Sequence, residues 1–138
     1  MSRPKFLVIE DNPADIELLR FALDKQGEPY DLDILMDGEQ ALQFIEEHRA
    51  GTRAPDPCVI LLDVHLPRFD GLQILKALKQ APALTHIRVI MLTSFASIEE
   101  EAQIASLGAV YRTKPAGLRQ YMDLGEEIFE VCKTMVFA

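Results

Sequence analysis

Residues 59–62, Val-Ile-Leu-Leu, form an unbroken apolar run that stops at a single carboxylate, Asp63, with Pro67 and Gly71 close behind. A run this short, with no polar alternation, reads as a strand buried on both faces, the kind found in parallel sheets covered by helices. It also sets a problem. Burial penalises charge, so a strand of this kind needs a reason to deliver an Asp at its end.

Similar runs recur along the chain and alternate with helical spacing. Residues 5–10, Lys-Phe-Leu-Val-Ile-Glu, read as the first strand. Asn12-Pro13 then supplies an N-cap with proline at the first helical position, and Ile16, Leu19 and Leu23 recur at helical spacing until Gly27. Residues 30–36 alternate as an edge strand should, with Leu32 and Ile34 apolar and Asp31 and Asp33 polar. A second helix carries Ala41, Leu42, Phe44 and Ile45, and the stretch 48–57, rich in proline, glycine and charge, is the longest loop candidate. Asp70 can cap a third helix with Leu72, Leu75 and Leu78 inside. Residues 89–92 form a fourth strand ending at Thr93, and Ser97-Ile98-Glu99-Glu100 is a capping box for a helix that stops near Gly108. Residues 109–112 give a short fifth strand before Lys114-Pro115, and a last helix runs from about Leu118 to Lys133. Five strands and five helices in strict alternation predict an α/β fold with a doubly wound parallel sheet, because parallel strands need crossovers.

A chain of 138 residues fits one domain, 1–138, with no effector domain expected after the last helix. No apolar run approaches the ~18–20 residues of a membrane span, and no signal peptide is evident, so a cytoplasmic protein with no membrane partner is expected. The net charge of −8 disfavours direct binding to nucleic acid. Cys58 and Cys132 have no metal or redox spacing and are expected to be reduced and buried. His48 and His86 sit in polar contexts and are expected on the surface.

In open sheets of this class, ligands sit beyond the carboxyl ends of the strands. Those ends carry Glu10 and Asp11, then Asp63, then Thr93 with Ser94, and then Lys114. With strand order 2-1-3-4-5 they would crowd one edge. Taken singly, each has a plainer role: Asp63 as a loop cap, Glu10-Asp11 as helix caps, Thr93 as a turn residue, Lys114 as a solvated charge. Taken together, three carboxylates would repel one another unless a hard divalent cation joined them, and oxygen ligands favour Mg²⁺. Asp63 could then be a nucleophile, with Lys114 and the Thr93 hydroxyl holding phosphoryl oxygens. On that account the strand ends in Asp63 because a rigid, buried β-run can hold a nucleophile beside a metal.

The stretches "VIEDNPAD", "ILLDVHLPRFDG", "VIMLTS" and "YRTKP" resemble the receiver domain of two-component response regulators over nearly the full chain. The resemblance implies a flavodoxin-like (βα)5 fold in which Asp63 is the phosphoacceptor. It implies Mg²⁺ held directly by Asp11 and Asp63 and by the backbone carbonyl of His65, with Glu10 supporting through water. Thr93 and Lys114 would grip the phosphoryl group, Tyr111 would match the aromatic switch, and the Lys114–Pro115 bond would match one that is usually cis. Glu10 stands where Asp is commoner. His65 stands where Asn is common, with its side chain facing the attacking water, which bears on dephosphorylation.

"EDNPADI", the loop near 49–57 and the terminal "KTMVFA" resemble the stand-alone regulators that pair with bacterial phytochromes and related kinases. The implied partners are a sensor histidine kinase such as a phytochrome, and a histidine phosphotransfer protein if the chain is a phosphorelay intermediate. A homodimer through the face of helix four, strand five and helix five is expected, with Met135, Val136 and Phe137 adding an apolar patch. A receiver-like binding module is the alternative, although such modules usually lack one of Asp63, Thr93 or Lys114. A haloacid-dehalogenase-type phosphatase would want a second Asp where His65 stands. An FMN-binding flavodoxin would want a hydroxyl-rich loop where "EDNPAD" stands. An acceptor of phosphoryl groups rather than an ordinary enzyme is therefore expected.

Overall fold

The computed structural model describes residues 3–49, 57–94 and 97–136, with the backbone alone for 134–136. The strands are β1 (Lys5–Ile9), β2 (Asp31–Leu35), β3 (Val59–Asp63), β4 (Arg88–Thr93) and β5 (Val110–Thr113). The helices are α1 (Pro13–Asp24), α2 (Gly38–Arg49), α3 (Gly71–Gln80), α4 (Ile98–Ser106) and α5 (Leu118–Val136), with a single 3-10 turn at Pro82–Leu84. All strand pairings are parallel and the order is β2-β1-β3-β4-β5, as the sequence predicts.

The unbroken apolar runs work as expected. Every residue of β3 is buried. Its alternate side chains feed two cores, with Ile60 and Leu62 under α2, α3 and α4, and Val59 and Leu61 under α1 and α5. Each fully buried residue of this size contributes roughly 1.5–3 kcal/mol, which makes β3 the rigid centre of the sheet. The edge strand β2 keeps its predicted alternation. Asn12 caps α1, accepting from Ala14 N at 2.9 Å, and reciprocal capping boxes open α3 at Asp70/Gln73 and α4 at Ser97/Glu100. Gly108, which follows α4, has φ +77°, a conformation that L side chains rarely adopt.

Three expectations are corrected. Cys58 and Cys132 are joined as a disulfide, with Cα atoms 5.5 Å apart across 74 residues of sequence. The crossover topology lays the end of α5 against the entrance of β3, a proximity that linear spacing cannot reveal. His48 is buried, its ring against Phe44 and its Nδ1 2.9 Å from the Phe44 carbonyl oxygen, because α2 turns that position towards the core. The Lys114–Pro115 bond is trans, like every peptide bond among the described residues. Most of the predicted 48–57 loop and the side chains of Met135, Val136 and Phe137 lie outside the described residues. The backbone of α5 runs to Val136, three residues past the predicted end.

Candidate functional site

The carboxyl ends of β1, β3, β4 and β5 bring the predicted residues together. Glu10 N donates to the Leu35 carbonyl at 3.0 Å and Lys114 N to the Thr93 carbonyl at 2.8 Å. These bonds extend the sheet pairing and fix both residues at one edge. Glu10, Asp63 and Thr93 are buried, while Asp11 is half-buried. Carboxylate oxygens of Glu10, Asp11 and Asp63 all lie within 4.8 Å of one another. Three hard oxygen donors this close fit a divalent cation.

Asp63 is held from both sides. Its Oδ1 accepts from the backbone N–H of His65 at 2.9 Å, and its Oδ2 accepts from Lys114 Nζ at 3.2 Å. The His65 side chain is exposed. The turn after β3 is tight: His65 bridges antiparallel to Asp70, and Gly71 N donates to the Val64 carbonyl at 2.8 Å. A Cβ on Gly71 would collide with the Asp63 carbonyl and with the backbone of Val64. Glycine is therefore what lets α3 begin against the end of β3 and hold Asp63 in place. An open cleft lined by Asp11, Val64, His65 and Glu100 lies beside the Asp11 end of this group.

Lys114 contacts more than the sequence indicates. Its Nζ lies 2.6 Å from Glu10 Oε1, 3.0 Å from Asp15 Oδ2 and 3.2 Å from Asp63 Oδ2. Burial alone would lower the pKa of this ammonium, but its bonds to Glu10 and Asp15 and the charge of Asp63 outweigh that and hold it above its ordinary value. Burial pushes the Glu10 carboxyl up to about 7, with the Asp63 charge adding and Lys114 opposing. Glu10 Oε2 also accepts from Asp11 N at 2.9 Å and Asn12 N at 3.2 Å, so the first acidic residue shapes the loop that carries the second. Tyr111 lies on β5, half-buried against the core under α4.

Sequence reasoning passed over Asp15 and Tyr121. Asp15 stands in the first turn of α1, directly after the loop that carries Asp11. Tyr121 sits on the buried face of α5, and its hydroxyl donates to Asp15 Oδ1 at 3.1 Å.

Comparison with known proteins agrees with this geometry. Residues 6–124 match the family of response regulator receiver domains. Response regulator Rcp1 of Synechocystis sp. is 34% identical over 125 residues, covering 88% of this chain and 84% of that protein. The polar-differentiation response regulator DivK of Brucella anthropi is 32% identical over 118 residues, covering 85% and 89%. Among solved structures, the phosphorylated cyanobacterial phytochrome response regulator RcpA is 30% identical with a TM-score of 0.84, covering 97% of this chain and 96% of that one. The Mn²⁺-bound form of Rcp1 is 31% identical with a TM-score of 0.78, covering 91% of each chain.

Proposed function

The chain belongs to the response regulator receiver family, and on that premise we propose that it accepts a phosphoryl group onto Asp63 from a phosphohistidine of a sensor histidine kinase. The observation that carries this is the convergence of Glu10, Asp11, Asp63, Thr93 and Lys114 on one sheet edge. A carboxylate oxygen of Asp63 bonds to phosphorus as the bond from phosphorus to the donor nitrogen breaks, and the departing imidazole takes a proton. Lys114, already bonded to Asp63, is placed to donate to a phosphoryl oxygen as charge develops, and the Thr93 hydroxyl to a second. Asp11, Asp63 and the His65 carbonyl, with Glu10 in support, would hold Mg²⁺, which would supply positive charge between the carboxylates and an anionic phosphoryl group.

Phosphorylation then biases a two-state element. Thr93 moves towards the phosphoryl oxygen, and Tyr111 turns inward. The surface that would register this is the face of α4, β5 and α5, where Ile98 is 85% exposed, Val110 40% and Leu118 47%. A two-fold homodimer through this face covers the three apolar side chains. The likeness to Rcp1 and RcpA supports a phytochrome-type kinase as donor, and onward transfer to a histidine phosphotransfer protein is the alternative output. No helix among the described residues is long and apolar enough to cross a membrane.

The test is phosphotransfer from a labelled histidine kinase, with Mg²⁺, to the wild type and to Asp63→Asn. Label on the wild type alone is the expected result. Equal labelling of both forms would exclude Asp63.

A further inference from the structure

Lys114 Nζ has three protons, and three carboxylates take them: Glu10, Asp15 and Asp63. Two of these belong to the oxygen cluster suited to a cation, and Asp63 is also the group to be modified. Both must change partners when the site fills. Asp15 lies outside that cluster. It is the acceptor that can keep hold of Lys114 while Glu10 and Asp63 turn to other partners.

Asp15 is itself fixed from behind. Its Oδ1 accepts from the hydroxyl of Tyr121 at 3.1 Å, while its Oδ2 faces Lys114 at 3.0 Å. The Tyr121 ring is 3% exposed and packs in the core between the sheet and the α1/α5 layer. The two helices are in close contact there, and a Cβ on Gly125, one turn along from Tyr121, would come within 3.2 Å of the Ala22 carbonyl oxygen. A phenol hydroxyl at such a site needs a partner, and its partner is Asp15.

We infer that Asp15 is a positioning residue for Lys114, and that the run Asp63–Lys114–Asp15–Tyr121 carries the state of the phosphoacceptor to α5, by a route separate from Thr93 and Tyr111. In the unphosphorylated protein the carboxylate of Asp15 holds the ammonium between α1 and the end of β3. When Asp63 carries a phosphoryl group, the ammonium moves onto a phosphoryl oxygen. Asp15 follows the ammonium, and the hydrogen bond to Tyr121 changes length with it.

This role for Asp15 rests on Asp63 being the phosphoacceptor, and the experiment separates the two. The wild type, Asp15→Ala, Asp15→Asn and Tyr121→Phe are phosphorylated with phosphoramidate and Mg²⁺ across a range of donor concentrations. The same chains are labelled with 3-fluorotyrosine. The chain has three tyrosines, at positions 30, 111 and 121, and Tyr121→Phe identifies the resonance of the third. In Asp15→Ala the maximal rate falls about tenfold while the donor KM stays within about twofold, because a misplaced catalytic group costs turnover rather than encounter. Asp15→Asn, which keeps an acceptor, recovers part of that rate. The Tyr121 fluorine resonance moves on phosphorylation of the wild type, and moves less than half as far in Asp15→Asn. A wild-type maximal rate in Asp15→Ala, or a Tyr121 resonance in the wild type that ignores phosphorylation, overturns the inference and leaves Asp63 standing. A wild type that takes no phosphoryl group overturns both.

Discussion

Replacing Lys114 with Met removes the ammonium that Glu10, Asp15 and Asp63 share, and the cost is set by how the stranded carboxylates respond. Removing one partner of a buried ion pair typically costs about 3–5 kcal/mol. Glu10 limits the loss, because it can take up a proton. In the wild type its pKa is already raised by burial to about 7 against an ordinary 4.5. The native state therefore binds a proton that the unfolded state lacks between those values. Stability from this group is fully present below pH 4.5, declines as pH rises towards 7, and is level above it. Without Lys114 the native pKa of Glu10 rises further, so the variant keeps losing stability above pH 7, where the wild type has stopped. In chelator the variant should be less stable by about 4 kcal/mol at pH 9, and the gap should narrow as the pH falls to 7. Millimolar Mg²⁺ should close more than half of the gap at pH 9 by restoring positive charge. Urea midpoints of both proteins at pH 7, 8 and 9, with EDTA and with Mg²⁺, measure all of this. A gap that does not change with pH, or one that Mg²⁺ widens, would refute the reasoning.

Gly71→Ala forces a methyl group into the backbone of Asp63 and Val64. It should destabilise by about 1–3 kcal/mol and slow phosphorylation even at temperatures where the variant is fully folded, which thermal melts and labelling rates can check together. Reducing the Cys58–Cys132 bond opens a loop closed across 74 residues. The chain-entropy relation gives a loss of about 4.5 kcal/mol, readable as a lower urea midpoint, and equal midpoints with both thiols titratable would contradict it. Ile98→Glu places a charge on the exposed face of α4, β5 and α5 and should weaken the phosphorylated dimer at least about tenfold by sedimentation. A wild-type monomer at high micromolar concentration in both states would remove the dimer from the account.

The order of the elements, the sheet topology and the five residues gathered at its edge were all legible, because each rests on local pattern. Unbroken apolar runs mark central strands, alternation marks the β2 edge, and caps such as Asn12 and Ser97 mark helix starts. Parallel topology then sends every strand end to one side. What was not legible depends on side chains meeting across the fold. Tyr121 has the spacing of a core residue and is one, but only the packing of α5 on α1 shows that its hydroxyl ends at Asp15. Nothing in sequence pairs Cys58 with Cys132, since the contact forms between the first residue before β3 and the last turns of α5. His48 follows a polar run, Glu46-Glu47, and is buried all the same, because α2 places it one turn beyond Phe44 on the core side.

Asp63, and no other carboxylate of the cluster, is proposed to carry the phosphoryl group. Borohydride reduces an aspartyl phosphate to homoserine, so phosphorylated wild type treated in this way, digested and sequenced by mass spectrometry reports the position directly. Homoserine is expected at position 63 alone, and absent when Mg²⁺ is chelated or the donor withheld. Homoserine at position 11 or 15, or a phosphoryl group recovered on His65 with Asp63 intact, would contradict it.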